Sequence, residues 1–134
     1  MAQSQPADNR PLSPHISIWR WHATMLSSIL HRMTGAALYG GAILVTIWLV
    51  ALATGPDAYA SAEALMTSIF GQIVLYGFAL AALFHLANGI RHLIWDGPRA
   101  GFSPGVANLA SWFSIIFAVL GTAVIWMLTH AGGS

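Results

Sequence analysis

Three long apolar stretches, almost free of charged side chains, constrain this chain more than any other feature of its sequence. They occupy residues 33–53, most of residues 65–93, and residues 108–129. At ~1.5 Å per residue along a helix, each is long enough to cross the ~30 Å hydrocarbon core of a bilayer. Only helices and closed barrels satisfy their backbone hydrogen bonds in lipid. The pattern therefore predicts an all-α membrane protein with three transmembrane helices.

The composition supports this interpretation and excludes several classes of protein. Charged residues make up only 7% of the chain, whereas soluble domains average roughly 25%. The formal net charge of +1 gives a nucleic-acid partner no electrostatic support. The absence of cysteine excludes disulfides and an iron–sulfur cluster held by this chain alone. We expect an N-terminal segment at residues 1–27 and a transmembrane domain at residues 28–134, surrounded by membrane lipid.

The arginines predict how the helices are oriented. They precede or open the first span and recur at the loop between the second and third spans: Arg10, Arg20, Arg32, Arg91 and Arg99. The loop between the first two spans holds two acidic residues and no cation. The positive-inside rule then places the N-terminus inside and the C-terminus outside. The start of the chain resembles neither a secretory signal nor a transit peptide, which favours a bacterial inner membrane over a mitochondrial one.

His85 is the first candidate functional residue. It lies in the stretch 64–90, which contains no Asp, Glu, Lys or Arg. An ionisable side chain at membrane depth is costly and often functional, and histidine is a common ligand of metals and haem iron. Ala81, Ala82 and Gly89 lie one turn away on the same helical face and would let a flat macrocycle approach. The alternative is a core histidine hydrogen-bonded to a hydroxyl on a neighbouring helix.

The spacing of the other histidines predicts where a second haem ligand would come from. We expect His31 and His92 at the inner edges of the first and second spans, and His130 at the outer edge of the third. His92 is also about 10 Å further along the same helix as His85. On this interpretation His31 is too shallow and His130 is on the wrong side. If His85 binds haem, the opposing ligand must come from another polypeptide.

A second pattern lies at the start of the first span. Ser28 and Arg32 are four residues apart and share a face if this stretch is helical. A hydroxyl and a guanidinium at the membrane edge suit a carbonyl that becomes negative on reduction, as in a quinone head group. The alternative is an ordinary positive-inside arginine with a capping serine. Arg91 and His92, two turns inward from His85, are groups of the kind that haem propionates need.

Two motifs carry a resemblance to a known family. The first reads RPLSPHI at residues 10–16, followed by SILHRMTG at residues 28–35, and the second reads HLANGIRHLIWD at residues 85–96. They resemble the signatures RPLSPH…S-x-x-H-R-x-T-G and H-x-x-x-G-I-R-H-x-x-x-D of the cytochrome b membrane-anchor subunit of succinate dehydrogenase (complex II). Both occur in the expected order and flank the expected spans, and the three-helix layout covers nearly the whole chain.

The resemblance implies specific roles for residues of this chain. His85 corresponds to the axial ligand of haem b, and the other ligand is a histidine of a companion small anchor subunit. Ser28 and Arg32 correspond to residues of the ubiquinone site, which a tyrosine of the companion and residues of the iron–sulfur subunit complete. Three residues correspond to positions near the haem propionates: His31, Arg32 and His92.

The resemblance also implies partners and a reaction. A flavoprotein subunit, an iron–sulfur subunit and a second small anchor subunit form a heterotetramer with this chain, and higher oligomers are open. Succinate is oxidised on the flavin, and electrons pass through iron–sulfur centres to ubiquinone. This chain alone has no dehydrogenase activity. The segment 11–21 would lie against the iron–sulfur subunit, and Asp96 would have a minor role near the quinone.

Three other functions are compatible with the same pattern. The nearest is the anchor of a quinol:fumarate reductase, which runs the same chemistry in reverse. A haem-free membrane scaffold would use His85 only for packing. A small transporter subunit would use His85 in a proton relay.

Overall fold

The computed structural model describes residues 20–131, which form four α-helices. These are α1 (Ala23–Thr54), α2 (Pro56–Thr67), α3 (Ile69–Asp96) and α4 (Pro104–Ala131). Helices α1, α3 and α4 are long and apolar enough to cross a membrane. The predicted all-α class and the three spans are confirmed. The direction of insertion stays a prediction, and most of the predicted N-terminal segment lies outside the described residues.

The first membrane helix begins earlier than the apolar pattern predicts, at Ala23 rather than Met33. The stretch that holds the candidate quinone residues is therefore helical. Helix α1 ends at Thr54, and its C-cap is Gly55, whose φ of 136° is a conformation that glycine adopts without a steric penalty. Pro56 then opens α2 at the first helical position, where its missing N–H has no partner to lose.

The second apolar stretch is interrupted, which the sequence does not predict. We expect one helix from Leu65, whereas α2 ends at Thr67 and α3 begins after an extended Ser68. The Ser68 hydroxyl accepts the N–H of Gly71 at 3.1 Å and so caps α3. A Cβ at Gly71 would collide with the Leu65 carbonyl oxygen, so the tight turn requires glycine there. No proline stands at the break, and apolar residues flank Thr67 and Ser68 on both sides.

Helix α3 is the centre of the bundle, since it packs against both α1 and α4. The buried residues are mostly small or polar: Ser27, Ala81, Phe84, Asn88, Arg91, Ala107, Ser111, Ser114 and Ala118. Large apolar side chains such as Phe70 and Leu128 point outward, with exposed fractions of 77% and 71%. This arrangement is typical of helices in lipid, where small residues permit close packing and buried polar groups join the helices.

Hydrogen bonds between helices fix the antiparallel register. The Ser27 hydroxyl donates to Oδ1 of Asn88 at 2.8 Å, and both residues are fully buried. This bond joins the start of α1 to the last turns of α3. At the other end of the bundle, the hydroxyls of Tyr76 and Thr129 are 2.7 Å apart and join α3 to α4. The arginines of the described residues consequently gather at the end where α1 begins and α3 ends.

We expect Ser27→Ala to destabilise the bundle, because the fully buried Asn88 then loses its hydrogen-bond donor. The expected loss is about 1–2 kcal/mol in the free energy of unfolding, measured by denaturation of the assembled complex. In the matched double variant, Ser27→Ala with Asn88→Leu, the two losses should be clearly less than additive. Strictly additive losses would show that the two side chains are not energetically coupled.

Candidate functional site

His85 lies half-buried where α3 meets α1, and its two ring nitrogens have different environments. Nδ1 is 3.2 Å from the carbonyl oxygen of His31 and 3.3 Å from Oγ1 of Thr34. The Thr34 hydroxyl lies 2.8 Å from the carbonyl oxygen of Leu30, to which it donates. Because a carbonyl oxygen can only accept, the bond to His31 requires the proton on Nδ1. With the proton on Nδ1, the lone pair of the ring lies on Nε2, as in metal-binding histidines.

The His31 ring lies against the His85 ring. The two centroids are 3.9 Å apart and the planes differ by 14°. The prediction that His31 is too shallow to lie level with His85 is therefore wrong. Helix α1 begins at Ala23, so His31 is already about two turns inside it. Because face-to-face rings cannot direct nitrogens at one iron from opposite sides, His31 would not be the second ligand if His85 bound a haem.

His92 completes a histidine cluster, which comprises His31, His85 and His92. Its ring centroid is 5.4 Å from that of His31, and it meets the Trp95 ring edge-on at 5.2 Å. Within residues 20–131, no three His, Cys, Asp or Glu side chains are grouped to hold a bare metal ion. His130 lies in the last turn of α4, at the opposite end of the bundle. A metal at His85 therefore needs ligands from outside this part of the chain.

Gly35 lies beside His85, and the sequence pattern does not predict this contact. A Cβ at this position would lie 3.1 Å from Cε1 and 3.7 Å from Nδ1 of His85. At Gly40, on the same helix, a Cβ would meet no atom within 4 Å. Glycine inside a helix costs about 1 kcal/mol of stability relative to alanine. A glycine next to the histidine motif is therefore the sequence feature that could have indicated a close contact here.

An apolar cavity of about 690 Å³ opens between α1, α2 and α3. Phe78 and Ala82 line it, and they share the helical face of His85. A Cβ added to Gly89 would meet no neighbouring atom. Ala81, which the sequence also places on the helical face of His85, is buried in the bundle, with 7% of its surface exposed. The surface beside His85 suits a flat apolar ligand.

Ser28 and Arg32 lie on α1 one helical turn apart, on either side of His31 in the sequence. Ser28 is half-buried and Arg32 is exposed. Asp96 is the last residue of α3 and is exposed at the same end of the bundle. A smaller cavity of about 370 Å³ opens at this end between the starts of α1 and α4, lined by Trp21, His22, Ala23, Leu26 and Trp112. This end of the bundle thus presents polar side chains next to an apolar cavity.

Arg91 is enclosed between α3 and α4. Its Nη1 donates to the Ser111 hydroxyl, and its guanidinium carbon lies 4.8 Å from the centroid of the Trp95 ring. Three buried polar atoms at this end have no hydrogen-bond partner among the described residues: Nε of Arg91, Nδ2 of Asn88 and Nδ1 of His31. Buried polar atoms without partners are rare, so these are candidates for binding a group from outside the chain.

The first half of the first motif, residues 10–16, lies outside the described residues. So does most of the segment 11–21, whose contact with a soluble subunit stays a prediction.

These features define a multi-pass membrane protein with a histidine site inside its bundle. The family model described as "Succinate dehydrogenase/Fumarate reductase transmembrane subunit" matches residues 6–130. The chain belongs to this family of succinate dehydrogenase cytochrome b anchor subunits. It is thus a part of an enzyme complex and is not catalytic alone.

Individual relatives agree with the family model. The succinate dehydrogenase cytochrome b556 subunit of Paracoccus denitrificans is 46% identical over 88 residues, covering 66% of this chain and 68% of that protein. The subunit of the same name from Rickettsia typhi is 35% identical over 120 residues, covering 90% and 93%. The mitochondrial cytochrome b560 subunit of Sus scrofa is 43% identical over 93 residues, covering 66% and 53%. With its three spans and its bacterial relatives, the chain is a multi-pass protein of the bacterial inner membrane.

We expect Ser111→Ala to destabilise the bundle, because Arg91 loses the hydroxyl that accepts its Nη1 hydrogen bond. Hydrogen bonds to charged groups contribute about 1.5–3 kcal/mol, and denaturation of the assembled complex measures the loss. Ser114→Ala is the matched control, since Ser114 is equally buried but bonds the carbonyl of Ala110 on its own helix at 3.0 Å. Equal effects of the two substitutions would contradict a role for Ser111 in holding Arg91.

Proposed function

We propose that this chain holds haem b together with a partner subunit, forms part of a ubiquinone-reduction site, and anchors the flavoprotein and iron–sulfur subunits of a succinate:quinone oxidoreductase. One observation carries the haem proposal. The hydrogen bond from Nδ1 of His85 to the His31 carbonyl oxygen leaves Nε2 free for iron. The relatives are named cytochrome b subunits, which supports haem b as the group bound.

The residues around His85 fit such a group. Histidine is a common axial ligand of haem iron, and an acceptor on the second nitrogen raises its basicity and fixes its tautomer. The apolar cavity that Ala82 lines would take the body of a macrocycle. We propose that the opposing ligand is a histidine of the companion small anchor subunit, because His31 stacks on His85 and His92 lies on the same helix.

Four residues are proposed as the environment of the haem propionates: His31, Arg32, Arg91 and His92. Carboxylates bind most strongly to cationic donors. The unpaired Nε of Arg91 and Nδ1 of His31 support this assignment, since both are buried without a partner in the described part of the chain. Bound there, haem would accept and release single electrons at a potential set by its ligands and burial.

We propose Ser28 and Arg32 as the quinone-binding residues of this chain. The Ser28 hydroxyl would donate a hydrogen bond to a quinone carbonyl and so orient the head group. The exposed Arg32 guanidinium would stabilise the negative charge that develops on the quinone oxygen during reduction. Apolar walls at the same end of the bundle, such as those of the smaller cavity, suit a ligand that arrives from lipid. A tyrosine of the companion subunit and residues of the iron–sulfur subunit would complete the pocket.

The remaining partners follow from the same proposal. Succinate would be oxidised on the flavin of a soluble subunit, and iron–sulfur centres would carry the electrons to the membrane edge. The N-terminal segment, residues 1–27, would dock on the soluble subunits, with Asp96 close to the quinone. The assembly would be a heterotetramer that includes a second small anchor subunit.

The second candidate is the anchor of a quinol:fumarate reductase. The family description covers both reaction directions, while the relatives described above are named succinate dehydrogenase subunits. Succinate oxidation is therefore the direction we propose.

A haem-free scaffold would need His85 only for its contacts with α1. A haem difference spectrum of a His85 variant separates this alternative from haem binding.

His85→Ala should abolish the b-type absorbance of the assembled complex, because the iron loses its ligand from this chain. The measurement is a reduced-minus-oxidised difference spectrum of the purified complex. His130→Ala is the control and should keep the full absorbance, since His130 is exposed at the opposite end of the bundle. Unchanged absorbance in His85→Ala, or none in the wild type, would refute haem ligation by His85.

Arg32→Ala should lower quinone reduction by about 100-fold, because the developing oxyanion loses its cationic partner. Succinate oxidation with an artificial acceptor at the flavin should persist. Arg99→Asn is the control: it removes another exposed arginine at the same end, and asparagine tolerates the φ of 54° found there. Equal loss of both activities in Arg32→Ala would point to a role in assembly.

A further inference from the structure

One turn of α1 contacts the imidazole of His85 on one face and along one edge. The His31 ring covers one face, with centroids 3.9 Å apart, and the His31 carbonyl oxygen lies 3.2 Å from Nδ1. Gly35 faces the adjacent part of the same ring edge, where a Cβ would lie 3.1 Å from Cε1 and 3.7 Å from Nδ1. Thr34 places its hydroxyl oxygen 3.3 Å from Nδ1. The ring is therefore in contact with side chain, carbonyl oxygen and bare backbone of a single helical turn.

We propose that Gly35 and Thr34 are positioning residues, which fix the rotation of the His85 ring and so the direction in which Nε2 meets the iron. The inference rests on the proposed haem ligation. The torsion that turns a histidine ring is broad, so α3 alone leaves the ring plane undetermined. Contacts outside the ligand shell orient metal ligands and tune the metal. Here α1 supplies these contacts, although the ligand itself belongs to α3.

Gly35 acts through its missing side chain. A methyl group 3.1 Å from Cε1 is closer than nearly all Cβ contacts, so the ring would have to yield by a few tenths of an ångström. The stacked His31 ring restricts movement across one face of the imidazole. A methyl group at this position should therefore tilt or turn the ring rather than leave its orientation unchanged.

Thr34 acts through the His31 carbonyl oxygen, which accepts the hydrogen bond from Nδ1 of His85. Its hydroxyl is 3.0 Å from the His31 oxygen and 2.8 Å from the Leu30 oxygen. The His31 oxygen thus receives the Nδ1 proton of His85 beside a competing hydroxyl. Without that hydroxyl, the bond from His85 should strengthen, which makes the ring more basic and favours the oxidised iron. The midpoint potential should then fall.

The first test compares Gly35→Ala with Gly40→Ala in the assembled complex. Haem content is measured as the haemochrome, and ligand orientation by the electron paramagnetic resonance g values of the oxidised low-spin haem. Gly35→Ala should keep its haem but shift the g values, whereas Gly40→Ala should match the wild type, because nothing lies within 4 Å of its added methyl. A haem-loaded Gly35→Ala with wild-type g values would overturn the role of Gly35.

The second test uses Thr34, whose variants preserve the shape of the helix surface. Thr34→Val should lower the midpoint potential of the haem, and Thr34→Ser, which restores a hydroxyl, should return it toward the wild-type value. An unchanged or higher potential in Thr34→Val would overturn the role of Thr34. If Gly35→Ala fails to assemble, this pair decides the inference. A wild-type complex without haem would instead refute the proposed function on which it rests.

Discussion

Buried polar contacts between neighbouring helices hold this bundle in register, in a molecule whose outer surface is apolar. Lipid is as apolar as the side chains that face it, so the burial of leucine and phenylalanine does little to bring the helices together. A polar group left unpaired in lipid has no water to bind. Among the described residues, polar contacts therefore set how the helices meet. Tyr76 and Thr129 join α3 to α4 at one end, and three contacts lie at the other: Ser27 with Asn88, His31 with His85, and Arg91 with Ser111. All three lie at the end where the arginines gather.

The site depends on the central position of α3. His85 and Arg91 belong to this one helix, yet His85 faces α1 and Arg91 faces α4. Helix α1 in turn carries the proposed quinone residues, Ser28 and Arg32, next to the turn that contacts His85. The proposed haem and quinone sites thus share the first turns of α1, and a displacement of that helix would affect both. This shared helix gives a physical reason why one small subunit could carry both proposed functions.

Much of the fold could be predicted because a bilayer sets the length and polarity of a spanning helix. The departures have local causes. Helix α1 starts at Ala23 without a capping side-chain hydrogen bond from His22, so no sequence signal marks its beginning. Because the sequence does not indicate this start, it predicts a position for His31 too close to the membrane edge. The sequence does not predict the break at Ser68 either, because apolar residues flank Thr67 and Ser68 on both sides and no proline marks it. The place of Gly35 beside His85 depends on the packing of α3 against α1, which local sequence does not predict.

The sequence by itself determined the membrane environment, the three spans, the family, and His85 as the principal candidate ligand. These depend on composition, on periodicity and on motifs, which are properties of residues close together along the chain. Only the tertiary structure decided which histidines lie level, which ring nitrogen of His85 faces a carbonyl oxygen, and which glycine lies against its ring. Those features arise between α1 and α3, whose contacting residues are separated by more than fifty positions, such as His31 and His85. Local sequence patterns do not encode the rotation of one helix against another, and that rotation determines the site.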